Sequence, residues 1–268
     1  MIKIEANWID LRYLDTLAMK STPVHRLNPI VKLIATLVFI ITVTSFPKYE
    51  ISGLLPFFLF PAVLVSLGGL PLLPLCKRLL LVAPFIIFIG IFNPLLDHTP
   101  VSKLGSFVLT GGWLSFASIT IRLYLTVTAA LILVATTGMN ALGLALARIG
   151  IPRIIVVQIL FMYRYLHVLL EEFVRSIQAY SLRSFHGDGI RFQAWGSLLG
   201  QLLLRSIDRA NRIYQSMLCR GFDGEVRLMH SAALHAADIL YLAFWIVFCL
   251  SARSFNIPQL LGKLLMGV

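Results

Sequence analysis

The chain has 268 residues, of which 58% are hydrophobic and only 13% charged, and its mean hydropathy is +0.86. This balance excludes an ordinary soluble domain, in which about a quarter of residues are charged, and points to a polytopic helical membrane protein. Lys and Arg number 23 against 12 Asp and Glu, a formal charge of +11, so composition alone allows lipid headgroups, acidic protein surfaces or nucleic acid as partners.

Residues 1–28 mix charged side chains such as Lys3, Glu5, Asp10 and Arg12 with apolar ones. They lack the basic start, apolar run and small-residue cleavage site of a signal peptide, and are expected to stay in the mature protein as a cytoplasmic segment. Uncharged runs then predict five membrane spans, near 29–46, 51–70, 79–93, 113–137 and 235–252. About 20 helical residues at 1.5 Å each cross a hydrocarbon core of about 30 Å. Pro56, Pro61 and Pro84 fall inside spans and should kink them. The expected fold class is therefore all-α, with four transmembrane helices over 29–137, a cytoplasmic helical region over 138–230, and a fifth span with an external tail over 231–268.

Basic residues orient these spans. Eighteen Lys and Arg precede or open span one, join spans two and three as Lys77 and Arg78, or lie between Arg148 and Arg227. The opposite side holds Lys48, Lys103, Arg253 and Lys263, with Arg122 inside span four. The asymmetry places the N-terminus and the long connection in the cytoplasm.

That connection reads as two long amphipathic helices. The first starts at Pro152 and runs without a breaker to Phe185, before Gly187-Asp188-Gly189; Arg164, His167, Glu171, Arg175 and Gln178 line one face of it. The second runs from about Phe192 to Cys219 and stops at Gly221, a residue suited to the left-handed position past a helix end. Its apolar stripe includes Trp195, Leu199, Leu202, Leu203, Tyr214 and Met217, and is expected to be buried against spans, the first long helix or the interfacial layer. Both helices end in an arginine with small or slender neighbours, at Ser181-Leu182-Arg183-Ser184 and at Cys219-Arg220-Gly221. Arginines at a cytoplasmic surface often only hold topology or touch lipid phosphates. Two similar helix ends also form a two-point docking surface, matched by two equivalent partners or two lobes of one.

The chemistry of enzymes is missing from the chain. Gly262-Lys263 is followed by Leu264, and Ile257 stands where a phosphate-binding loop needs its first Gly. The six histidines form no HExxH or paired Cys/His set, and Cys76, Cys219 and Cys249 lie far apart, as unpaired residues do. His235 and Asp238, one turn apart, fit a helix start or a subunit interface. Nucleic acid is excluded because the basic residues interleave with lipid-suited apolar faces. An autonomous secondary carrier or channel stays open as an alternative, resting on Arg122 and a few span threonines.

Three stretches together carry a family resemblance: Ser21-Thr22-Pro23-Val24-His25-Arg26-Leu27-Asn28-Pro29, Met162-Tyr163-Arg164-Tyr165-Leu166 with Leu169-Leu170-Glu171-Glu172-Phe173, and Met217-Leu218-Cys219-Arg220-Gly221-Phe222-Asp223-Gly224-Glu225. In these the chain resembles the transmembrane T component of energy-coupling factor (ECF) ABC importers, in the cobalt/nickel CbiQ-like branch. The Ala-Arg-Gly-like triplets of that family stand here as Leu182-Arg183-Ser184 and Cys219-Arg220-Gly221. The resemblance implies a non-catalytic subunit in a bacterial or archaeal cell (inner) membrane, without a resident cofactor or metal, the metal being cargo. It implies two ABC-type ATPase subunits docked on those triplets, a separate substrate-capturing membrane subunit, and a small accessory membrane subunit. The apolar faces carrying Ile159, Leu166, Leu170, Leu199 and Leu203 are then the candidate interface to the substrate-capturing subunit.

Overall fold

The computed structural model describes residues 17–48, 50–96, 100–104, 107–183, 192–224 and 234–254. In chain order its elements are α1 (Pro23–Arg26), α2 (Pro29–Thr44), a 3-10 segment (Ser52–Phe58), α3 (Leu59–Gly68), α4 (Leu72–Gly90) and α5 (Phe92–Leu96). A hairpin of β1 (Pro100–Leu104) and β2 (Phe107–Thr110) follows, then α6 (Gly111–Thr137), α7 (Met139–Ile149), α8 (Arg153–Arg183), α9 (Phe192–Leu218) and α10 (Ala236–Ser254). Two compact units divide the chain, one of 14–138 with 232–268 and one of 1–13 with 139–231.

In the first unit, α2 packs on α6 and α10, while α3, α4 and α5 also lie against α6. Its center is aromatic. Phe39 stacks on Phe60 with ring centroids 4.2 Å apart, and Phe60 meets Trp245 edge-on at 4.6 Å, so rings from α2, α3 and α10 share one cluster. Pro29 takes the first helical position of α2, where its missing N–H costs nothing, and the Asn28 side chain accepts a hydrogen bond from the Ile30 N–H at 3.1 Å.

Polar groups fasten both ends of α2. At its start the Asp238 carboxylate, only 3% exposed, accepts the Asn28 N–H at 2.8 Å and the His235 N–H at 2.9 Å. Asp238 is thus a helix-start residue that serves two helices at once. Lys32, 4% exposed, donates to the Thr136 carbonyl at 2.9 Å, which brings in the last turn of α6. At the other end Arg253 donates to the Ser45 carbonyl at 3.4 Å and lies over the Phe46 ring, 4.7 Å from its center. Ties at both ends make α2 and α10 run parallel.

Three expectations change. The expected all-α class gains a short hairpin before span four: β1 and β2 pair antiparallel, with Leu104 opposite Phe107 and Lys103 opposite Val108. The fold is therefore helical with one short hairpin; Pro100 at the strand start and the β-branched Val101 and Val108 favor extended backbone. The second span is a 3-10 segment that passes into α3, because Pro56 and Pro61 withhold two N–H donors in that stretch. Lys77 and Arg78 lie within α4, which starts at Leu72 after α3 ends at the left-handed Gly69, and so do not form a connection between spans.

Among the described residues, three helices are long and apolar enough to cross a membrane: α6, α8 and α10. Two of them coincide with expected spans. The third, α8, is the first long helix of the region assigned to the cytoplasm. Arg122, eleven residues into α6, is held by the Pro47 carbonyl and by Ser118 Oγ at 2.9 Å.

Candidate functional site

The second unit is built from α7, α8 and α9. α7 comes close to α8 because Gly143 has no side chain: a Cβ there would meet the Leu160 side chain at 2.7 Å. Leu160, Val156 and Ile177 are the buried residues of α8. Among the described residues of α9 none is fully buried; Leu199, Leu203 and Tyr214 are well exposed, and Trp195, Leu202 and Met217 are half-buried. The apolar stripe of α9, expected to be covered, is covered only in part by its own unit.

α8 and α9 run in opposite directions across each other. Phe161 and Tyr165, early in α8, share a cavity with Ile213 and Met217, late in α9, whereas Tyr180 and Arg183 share one with Leu198 and Gln201. Between these two regions sits Glu172, its side chain 17% exposed. It accepts a hydrogen bond from Arg209 at 2.7 Å and pairs with Arg205 at 3.6 Å. Phe173 beside it faces Trp195, with ring centroids 6.0 Å apart. A partly buried carboxylate held by two guanidinium groups is a stronger and more directional tie than an exposed ion pair. Arg175 and Glu171 make such an exposed pair on α8 at 3.5 Å.

The arginine-bearing ends fall on opposite sides of this crossing. Arg183 is the last residue of α8 and Arg220 lies just past α9, each about 16 Å along its helix from the Glu172–Arg209 pair at 1.5 Å per residue. Leu182, Arg183, Cys219, Arg220 and Gly221 are all exposed. Ser184, Glu225 and the tail after Ser254 lie outside the described residues. Gly221 has φ 76°, and the Phe222 N–H donates back to the Met217 carbonyl at 3.0 Å, so the left-handed turn expected there closes α9. Of the five candidate interface residues, Leu166, Leu199 and Leu203 are exposed, and Ile159 and Leu170 half-buried.

Sequence reasoning missed the organizing role of Glu172. The signal was present in the pair Glu171-Glu172: adjacent helical residues point about 100° apart, so both cannot serve one polar face. Arg205 and Arg209, one turn apart on α9, are the complement of the second carboxylate. Among the described residues no three His, Cys, Asp or Glu side chains gather around a point that could hold a metal ion.

The chain is 25% identical over 230 residues to an uncharacterized protein of Methanocaldococcus jannaschii, the alignment covering 81% of this chain and 77% of that one. Residues 20–231 match the family described as CbiQ, cobalt transport protein, so the match takes in α1 through α9 and both arginine-tipped ends. The chain therefore belongs to the CbiQ cobalt transport protein family.

Proposed function

We propose that this chain is the membrane coupling subunit, or T component, of an ECF-type ABC importer for cobalt or nickel ions. Two cytoplasmic ABC-type ATPase subunits dock on Leu182-Arg183-Ser184 and Cys219-Arg220-Gly221, and a separate membrane subunit captures the ion. ATP-driven movement of the ATPases displaces the two helix ends, and the helices pass that displacement to the capturing subunit through the face that includes Ile159, Leu166, Leu170, Leu199 and Leu203. The chain itself is non-catalytic and sits in the cell membrane with its N-terminus in the cytoplasm.

The single observation that carries this reading is the placement of Arg183 and Arg220 at opposite ends of one antiparallel helix pair joined at Glu172. Two separated cationic tips on one stiff frame suit two motors whose spacing changes. The orientation draws support from the first unit: Asn28, Thr136 and Asp238 bring the start of α2, the end of α6 and the start of α10 to one side. An autonomous carrier gains nothing from Arg122, whose guanidinium is already engaged by Pro47 and Ser118. The test is co-purification of the ATPases with the double variant Arg183→Glu and Arg220→Glu. The variant should insert in the membrane as the parent does and lose the ATPases; undiminished co-purification rejects the docking assignment.

A further inference from the structure

Two cavities meet on the crossing of α8 and α9, and their linings differ in kind. One, of about 390 Å3, is lined by Phe161, Leu169, Ile213, Tyr214 and Met217. The other, of about 480 Å3, is lined by Arg175, Arg183, Arg205 and Arg209 against Glu171 and Glu172. Val168 and Arg209 belong to both walls, so an apolar cavity and a cationic one adjoin beside the Glu172–Arg209 pair. Four guanidinium groups face two carboxylates, and both carboxylates are already engaged, Glu172 by Arg205 and Arg209 and Glu171 by Arg175. The polar chamber therefore keeps an excess of two positive charges. Both chambers have volumes within the range of small-ligand sites.

We propose that this double chamber binds one anionic phospholipid, its phosphodiester among Arg175, Arg205 and Arg209 and part of an acyl chain along Leu169, Ile213 and Met217. A free phosphate would satisfy the cationic wall and leave the apolar one open to water. A zwitterionic lipid would fill the apolar wall and leave the charge excess uncompensated. Only an amphiphile with net negative charge matches both walls. The membrane supplies it, since α8 is itself long and apolar enough to enter the bilayer. No ATPase and no second subunit is needed for this site.

The experiment is native mass spectrometry of the full chain in detergent, titrated with phosphatidylglycerol or phosphatidylcholine carrying identical dioleoyl chains. Phosphatidylglycerol should bind roughly tenfold more tightly, a gap that closes with salt, as expected for one to two arginine contacts at about 1 kcal/mol each. Arg175→Gln with Arg205→Gln should lower that affinity roughly tenfold, whereas Lys77→Gln, on α4, should leave it unchanged. Ala210→Trp fills the apolar chamber without altering charge and should also weaken binding. Equal affinity for the two lipids, or parental affinity in both the double arginine variant and Ala210→Trp, overturns the proposal. So does displacement of the lipid by an equal concentration of glycerol phosphate, which would make the ligand a free phosphate.

Discussion

Asp238 shows how a single buried charge is made tolerable. Its carboxylate is taken out of water, which is costly, but it accepts two backbone N–H groups at helix starts. Asp238→Ala removes the carboxylate that accepts the Asn28 and His235 N–H groups. We expect a loss of about 1–3 kcal/mol for each donor that stays buried, read as a lower unfolding midpoint in detergent, with Asp238→Asn intermediate. His25 gives the second expectation at this scale. Burial, reinforced by the Lys32 and Lys20 charges, holds its imidazole below the ordinary value of 6.5, while its Nδ1 shares a 2.6 Å hydrogen bond with Thr22 Oγ1. The unfolded chain takes up the proton near 6.5 and the folded chain only at lower pH. Stability associated with His25 is thus fully present above 6.5 and lost as pH falls through the folded value. Tryptophan fluorescence melts between pH 8 and 5 should show the midpoint dropping with acidification, and His25→Gln should flatten that slope.

Among the elements, α8 and α9 are set by different forces. α8 buries Val156 and Leu160, the latter against Gly143 of α7, and so has a packed side of its own. α9 has no buried residue in the described structure and is positioned by Glu172 and the Phe173–Trp195 contact, with the exposed part of its stripe, Leu199, Leu203 and Tyr214, left for lipid or another subunit. The end of α9 depends on Gly221, whose φ of 76° is unfavorable for a residue with a branched Cβ. Gly221→Val should cost about 1–2 kcal/mol and fray the last turn, speeding amide exchange at Gln215 to Cys219. Gly221→Asn, which tolerates the left-handed region, should change exchange little. That helix end was legible in the sequence because a Gly after a long periodic run has few other uses. The hairpin at Pro100–Thr110 was not, since a short apolar run reads alike as a helix end or a strand.

Across the molecule, the expected division of labor is tested by transport. Purified chain in liposomes should move no cobalt or nickel, with or without an ion gradient, and uptake should require the ATPases and a substrate-capturing subunit; gradient-driven uptake by the chain alone would favor a carrier. The sequence by itself determined the membrane class, the two long arginine-tipped helices and the turn at Gly221, because mean hydropathy, helical periodicity and glycine conformational freedom are local properties of the chain. Family membership was legible too, in short motifs whose order and spacing survive at low identity. Only the tertiary structure decided that Asp238 reaches Asn28, that Lys32 reaches Thr136, and that Glu172 joins α8 to α9 so that Arg183 and Arg220 point apart. Those pairings join residues 37 to 210 positions apart, and a long-range partner is chosen by which faces remain to be covered once every helix is packed, a condition no single stretch of sequence contains.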